Sequence, residues 1–311
     1  MCTVNGAPAA ALVDYPRAMR ARRRHPLAGH TPAPRSLAAR TPALSLLAVL
    51  VVAMLAAAPA RARDRGADGR FDTRRSAHFV LRQDVDLDTR SGPRGTRAFE
   101  RAVIEALEEG YDQLDDLLGL RPRRRLEVMV YDAAIFDATY AHLFPFPAAG
   151  FYGGTIRVRG EPALTPRLRS TLHHELVHAA LDAAAPGLVL PGWLHEGLAE
   201  WFAARVAGEP FPTAAEAALL TELAARGALP SIDTAARPSL ARLDAATATA
   251  SYTLARGLVA ELVRLGGERA PARLVALLLR TGDLDHALVR TVGVDSAGLE
   301  ASLLRTLGVE H

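Results

Sequence analysis

The stretch TLHHELVHAALD, Thr171 to Asp182, places two histidines four residues apart, with a glutamate directly after the first. Leu172, Leu176 and Ala179 recur along it at helical spacing, so an α-helix is predicted. Positions four apart on a helix share a face and lie about 6 Å apart along the axis. His174 and His178 can therefore converge on one ion, each through a ring nitrogen at roughly 2.0–2.1 Å. Glu175 is offset around the helix, where a carboxylate reaches the open side of such an ion and can take a proton from water. This is the H-E-x-x-H pattern, and the competing reading is a half-buried amphipathic helix with surface histidines.

A catalytic zinc site needs a third protein ligand and one open position. Eighteen residues after His178 stands Glu196, within PGWLHEGLAEWFA, Pro191 to Ala203. Pro191 and Gly192 break the chain, and a second helix is predicted to follow with Glu196 in its first turns. Packed against the first helix, it can deliver this carboxylate to the metal. Glu200, four residues on, shares that face and suits the role of acceptor for a ligand histidine; an exposed helical glutamate is the alternative.

An H-E-x-x-H helix followed by WLHEGLAEW resembles the gluzincins, zinc peptidases whose third ligand is a glutamate. In particular it is similar to the peptidase MA-like proteins of bacteria, with their W-L-x-E-G-x-A-E-[WY] segment. The resemblance extends to Phe79–Arg82, LGLRPRRRLEVMVYD and GFYGGTIRV, covering roughly residues 75–265. It implies a zincin-like fold with a small twisted sheet above the active-site helix, Zn²⁺ held by His174, His178 and Glu196, and Glu175 as general base. Tyr252, in SYTLARGLVAEL, resembles the gluzincin tyrosine that hydrogen-bonds the oxyanion, although a tyrosine anchoring a helix in the core reads the same. Arg256, four residues on, would line the cleft or pair with a surface acid.

Tyr152, Gly153 and Gly154 suggest a strand edge along which an extended peptide could pair, or simply a tight hairpin. The chain has no GAMEN-like exopeptidase signature. His173 lies about 140° around the helix from His178 and is not a ligand candidate. His195 should point off the face of Glu196, toward the cleft rim. His78, His142, His286 and His311 show no ligand spacing. No G-x-S-x-G, Walker or dinucleotide fingerprint is present.

The rest of the 311 residues sets the context. All 37 basic residues are arginine, and half of the residues are apolar, enough for a sizeable core. The nominal net charge of +3 conceals an asymmetry: residues 1–63 hold nine arginines and one acid, while the remainder holds 28 arginines against 33 acids. A nucleic-acid partner is therefore disfavoured. Behind the basic cluster RARRRH, residues 43–58 form an apolar run broken only by Ser45, followed by A-x-A sites ending at Ala60 and Ala62. That order reads as a secretory signal peptide, with Met19 as a candidate start. The alternative is an uncleaved anchor attaching the chain to the membrane through residues 43–58. Either way the remainder is expected to face outward: periplasmic, extracellular or anchored to the outer face of the cytoplasmic membrane. Cys2 is the single cysteine and precedes this segment, so any metal site beyond it must use His, Asp or Glu.

Strands are predicted at residues 77–82, 125–132 and 150–160, and helices at 96–120 and 133–142. Helices are predicted again at 167–184, 192–207, 213–226, 249–265, 270–280 and 296–306. The fold class is thus α+β. The predicted organisation is a basic extension and signal at 1–62, a linker at 63–74, a peptidase domain at 75–265 and C-terminal helices at 266–311 packed on it. The functional expectation is an exported zinc metallopeptidase acting on a peptide or protein substrate. The alternatives are a non-catalytic zinc-holding or peptide-binding module, or a membrane-anchored scaffold.

Overall fold

Parallel strands cannot be joined by a hairpin, so the chain must cross over between them. The computed structural model describes residues 70–85, 92–144 and 146–309. Strand β1 (Asp72–Arg75) runs antiparallel to β2 (Phe79–Asp84). Helix α1 (Gly92–Leu118) comes next in sequence, before β3 (Leu126–Tyr131), which lies parallel to β2 with Phe79 opposite Leu126. Helix α2 (Ala133–Tyr140) leads to a hairpin of β4 (Gly150–Tyr152) and β5 (Ile156–Arg159). Gly154 supplies the turn, at a φ of 81° that a side chain would strain. Because β5 pairs parallel with β3, the sheet order is β1-β2-β3-β5-β4, and β4 forms an edge.

The remainder is helical: α3 (Pro166–Ala184), α4 (Gly192–Ala207), α5 (Ala214–Ala225), α6 (Ile232–Ala235), α7 (Ala245–Gly266), α8 (Ala270–Thr281), α9 (Leu284–Val292) and α10 (Ser296–Thr306). The predicted α+β class is borne out, with a five-stranded sheet in the N-terminal half and helices after it. Among the described residues no helix is long and apolar enough to cross a membrane. The predicted signal or anchor at residues 43–58 lies outside the described residues.

Three departures from the sequence reading have physical causes. The sheet begins inside the stretch read as linker, because β1 (DTRR) is mostly exposed and is held by main-chain pairing to β2. It carries no apolar alternation to detect. Helix α7 starts at Ala245 rather than 249, where the Asp244 carboxylate caps it by accepting from the amides of Ala246 and Thr247 at 3.1 and 3.0 Å. The short helices α6 and α9 were not anticipated; each spans only a few turns or fewer, too short for periodicity to stand out.

The two faces of β3 serve different cores. Val128 and Val130 join Val103 and Leu107 of α1 and Leu172 and Leu176 of α3 in the main core. Met129 and Tyr131 face the aromatic cluster of Phe136, Phe144 and Phe151 on the other side. Helices α8 to α10 contribute Leu274, Leu278, Leu288 and Leu303 to the main core.

Helices α4 and α7 meet at Gly197. A Cβ there would lie 2.6 Å from the carbonyl oxygen of Ala255 and 2.6 Å from Val259 Cγ2, so only hydrogen permits the approach. Gly197→Ala is expected to lower stability by about 1–3 kcal/mol in urea unfolding, whereas Gly153→Ala, whose Cβ meets nothing nearer than 3.8 Å, should change it far less. Equal losses would show that the crossing is not tight.

Glu261 ties α7 to α10. Its buried carboxylate accepts from Arg264 at 2.6 and 2.7 Å and from the Ser302 hydroxyl at 2.6 Å. Burial works to raise its pKa, but these hydrogen bonds outweigh it and hold the group below its ordinary 4.5. The folded state therefore binds this proton more weakly than the unfolded chain. The resulting stabilisation is full above pH 4.5 and is lost as pH falls through the folded value. Measured by urea unfolding below that pH, the parent should lose stability more steeply than Glu261→Gln; identical slopes would remove Glu261 from the acid response.

Candidate metal centre

Helix α3 starts where Thr165 caps it, its hydroxyl oxygen accepting from the amide of Leu168 at 3.1 Å, with Pro166 in the first turn. From Thr171 to Leu181 every residue of α3 is buried. The helix is therefore enclosed all round, by α1, α4, β4 and β5, rather than half-buried with surface histidines. His173, on the side facing α1, donates to the carbonyl of Ala106 at 2.8 Å and plays no part in the centre.

On the opposite side the four-residue spacing brings His174 Nε2 and His178 Nε2 to 3.0 Å. Helix α4 crosses here, fixed by buried Trp193 and Trp201, and presents Glu196 Oε2 at 3.3 Å from His174 Nε2 and 3.8 Å from His178 Nε2. Donors around a tetrahedral ion with bonds of roughly 2.0–2.1 Å stand about 3.4 Å apart, so the three atoms already have the spacing of three corners. Glu196 Oε2 is buried without a hydrogen bond, as an atom reserved for a ligand would be.

The charges agree. Glu175, Glu196 and Glu200 surround the site, and among the described residues Arg256 is the buried guanidinium there. These carboxylates outweigh the charge of Arg256, which is also shared with Glu216, and an excess of negative charge suits a divalent cation. Without it, protons compensate. Burial works against a charged His174, but the carboxylates of Glu196 and Glu200 outweigh it and push its pKa up to about 10. Burial raises Glu175 to about 8, with the charges of Glu196 and Glu200 adding to the effect and His174 opposing it. A cation bound here would displace such protons, since a ligand imidazole must be neutral.

The outer nitrogens of both histidines are also engaged. His174 Nδ1 lies 3.3 Å from Glu200 Oε1, an ion-pair distance without the alignment of a full hydrogen bond. Glu200 is held in turn by Arg256, whose Nη2 is 2.9 Å from Oε2, and Arg256 Nε lies 3.2 Å from Glu216 Oε1. Burial works to raise the Glu200 pKa, but Arg256 and His174 overcome it and hold the carboxyl at about 2. Arg256 thus joins Glu200 to the more exposed Glu216.

His195, expected at the cleft rim, is half-buried, and its ring also reaches a histidine of the donor group. The crossing of α3 and α4 sets its Nε2 3.1 Å from His178 Nδ1. Burial, assisted by the charge of His174, lowers its pKa to about 3, so the ring is neutral and can accept from His178 Nδ1–H. That tautomer leaves His178 Nε2 free to bind an ion.

Glu175 is fully buried, and both of its carboxylate oxygens lack a hydrogen-bond partner. Tyr252, on α7, is buried with an unpartnered hydroxyl; burial raises its pKa well above the ordinary value, and the charges of Glu196, Glu200 and Glu175 add to this. The structure thus gathers His174, Glu175, His178, Glu196, Glu200 and Tyr252 in one place. Tyr152, Gly153 and Gly154 form the β4–β5 hairpin at the sheet edge, and the Tyr152 hydroxyl donates to Asp182 at 2.8 Å. Its side chain anchors the strand to α3. Sequence reasoning missed Glu216. Its one visible sign was the T-x-x-E capping box with Thr213, which marks a helix start and says nothing of Arg256. His78 pairs with Glu108 at 2.6 Å away from the site, and His311 lies outside the described residues.

No protein-family model matches the chain, and no curated protein matches it.

The full-length parent is expected to bind one divalent ion per chain, measured by elemental analysis after dialysis, and Glu196→Ala to retain less than about a tenth of it. Stoichiometric metal in that variant would exclude Glu196. His195→Ala should weaken zinc affinity about 10–100-fold in chelator competition, with His195→Gln recovering part of the loss through its carbonyl acceptor.

Proposed function

We propose that this chain is an exported zinc metallopeptidase of the gluzincin type on a zincin-like scaffold, related to the peptidase MA-like proteins it resembles. The observation that carries the proposal is the unpartnered buried carboxylate of Glu175 beside the His174, His178 and Glu196 donor set. A structural metal site has no use for such a group. Zn²⁺ suits two imidazoles and one carboxylate, and when bound it supplies a Lewis acid that polarises a carbonyl and acidifies water.

The protein's own groups account for the remaining steps. Glu175, whose burial keeps its proton affinity high, accepts a proton from the attacking water and passes it to the nitrogen of the departing amine. The Tyr252 hydroxyl, unpartnered and close to the same carboxylates, donates to the carbonyl oxygen as negative charge develops there. Glu200 and His195 hold the two imidazoles in orientation, and Arg256 holds Glu200. The edge strand β4 offers main-chain pairing to an extended substrate. Export rests on residues 1–62, with membrane attachment through residues 43–58 as its variant.

Cleavage of an unstructured protein, with and without a chelator, tests the proposal. The parent should cleave only when loaded with zinc. Glu175→Gln should keep its zinc and lose about a thousandfold or more in kcat. A variant that cleaves as fast as the parent would overturn the role of Glu175, and cleavage unaffected by chelation would overturn the metal mechanism.

A further inference from the structure

A cavity of about 560 Å³ opens between α2, the segment leading into β4, and the first turn of α3. Phe136, Phe144, Phe146 and Ala148 give it an apolar wall, and Asp137, Arg159 and Arg167 give it charged lining. Its volume falls in the range that holds a ligand group.

Two features connect it to the metal centre. Phe146 packs edge-on against Tyr252, with ring centroids 6.1 Å apart at 84°. Arg167, Thr171, His174 and His178 follow one another at spacings of four, three and four, which places them on one face of α3. Seven residues of helix put Arg167 about 10 Å from His174 along the axis, the reach of roughly three residues of extended peptide. Ala148 stands two residues before β4, so a chain lying along that sheet edge passes the cavity.

The two arginines are not equivalent. Arg159 is neutralised by Asp137, donating from Nε at 2.9 and 3.1 Å and from Nη2 at 3.0 Å. Arg167 has no acid partner among the described residues.

We infer that this cavity is a substrate-selecting subsite, which seats a bulky apolar side chain on its phenylalanines and a neighbouring carboxylate on Arg167. The inference rests on the peptidase reading of the adjoining centre and names the substrate class: peptides with an apolar residue next to a carboxylate. That carboxylate belongs either to an acidic side chain or to the peptide's own C-terminus.

Binding to the full-length, zinc-loaded Glu175→Gln variant tests this without requiring turnover. The probes are short fluorescent peptides containing Phe-Glu or Phe-Gln internally, and a second pair ending in Phe-Ala with a free or an amidated C-terminus. The carboxylate member of at least one pair should bind about fivefold tighter, with the difference shrinking as salt is raised. The internal pair reports a side-chain carboxylate and the terminal pair a chain end. Adding Arg167→Gln should abolish the preference while zinc content stays unchanged, and Arg167→Glu should shift it toward Phe-Lys. Equal affinities within both pairs, no binding by any probe, or a preference that survives Arg167→Gln would each overturn the inference. If the preference holds while the parent cleaves nothing, the peptidase reading fails and the carboxylate subsite stands.

Discussion

Enclosing several ionisable side chains where two helices cross is the constraint on which this molecule depends. Removing carboxylates and imidazoles from water costs several kcal/mol per charge unless opposite charge compensates. At the crossing of α3 and α4, His174, Glu175, His178 and Glu196 are all buried, and Arg256 is the nearby permanent positive charge. Part of the balance comes from protons, on His174 and Glu175, and a divalent cation is the other way to supply it. Metal affinity, proton affinity and helix packing are therefore one problem at this site.

The surrounding fold addresses that problem in successive shells. Helix α7 approaches α4 closely at Gly197, and from it Tyr252 and Arg256, four residues apart, reach the same centre. Arg256 extends the network to Glu216 at the start of α5, so the orientation of the His174 imidazole depends on a further helix. On the other side of α3, His173 and the Tyr152–Asp182 hydrogen bond fix the helix to α1 and to the sheet edge. The donors are thus held by packing on both sides of the helix that carries them, as a preorganised site requires.

The aromatic cavity adds a polarity to this arrangement. Its wall belongs to the second face of the sheet, while Arg167 belongs to the helix that carries the histidines. Along β4 the fold thus sets two independent features: a His-His-Glu group from α3 and α4 that could hold a metal ion, and an apolar pocket edged by Arg167.

What the sequence determined by itself was local. Helical periodicity puts His174 and His178 on one face and Glu175 beside them, because 3.6 residues per turn leaves little choice. The break at Pro191-Gly192 marks the helix that carries Glu196 and Glu200, and turn chemistry marks the Gly153-Gly154 hairpin. The tertiary structure alone decided the rest. It placed His195 against His178, Arg256 between Glu200 and Glu216, and Tyr152 on Asp182. Each of these contacts joins residues far apart in the chain through a helix crossing or a sheet edge, and no spacing rule encodes it. Strand β1 was hidden for a related reason: a polar edge strand takes its order from main-chain bonds to a neighbour, and those leave no mark on its own side chains.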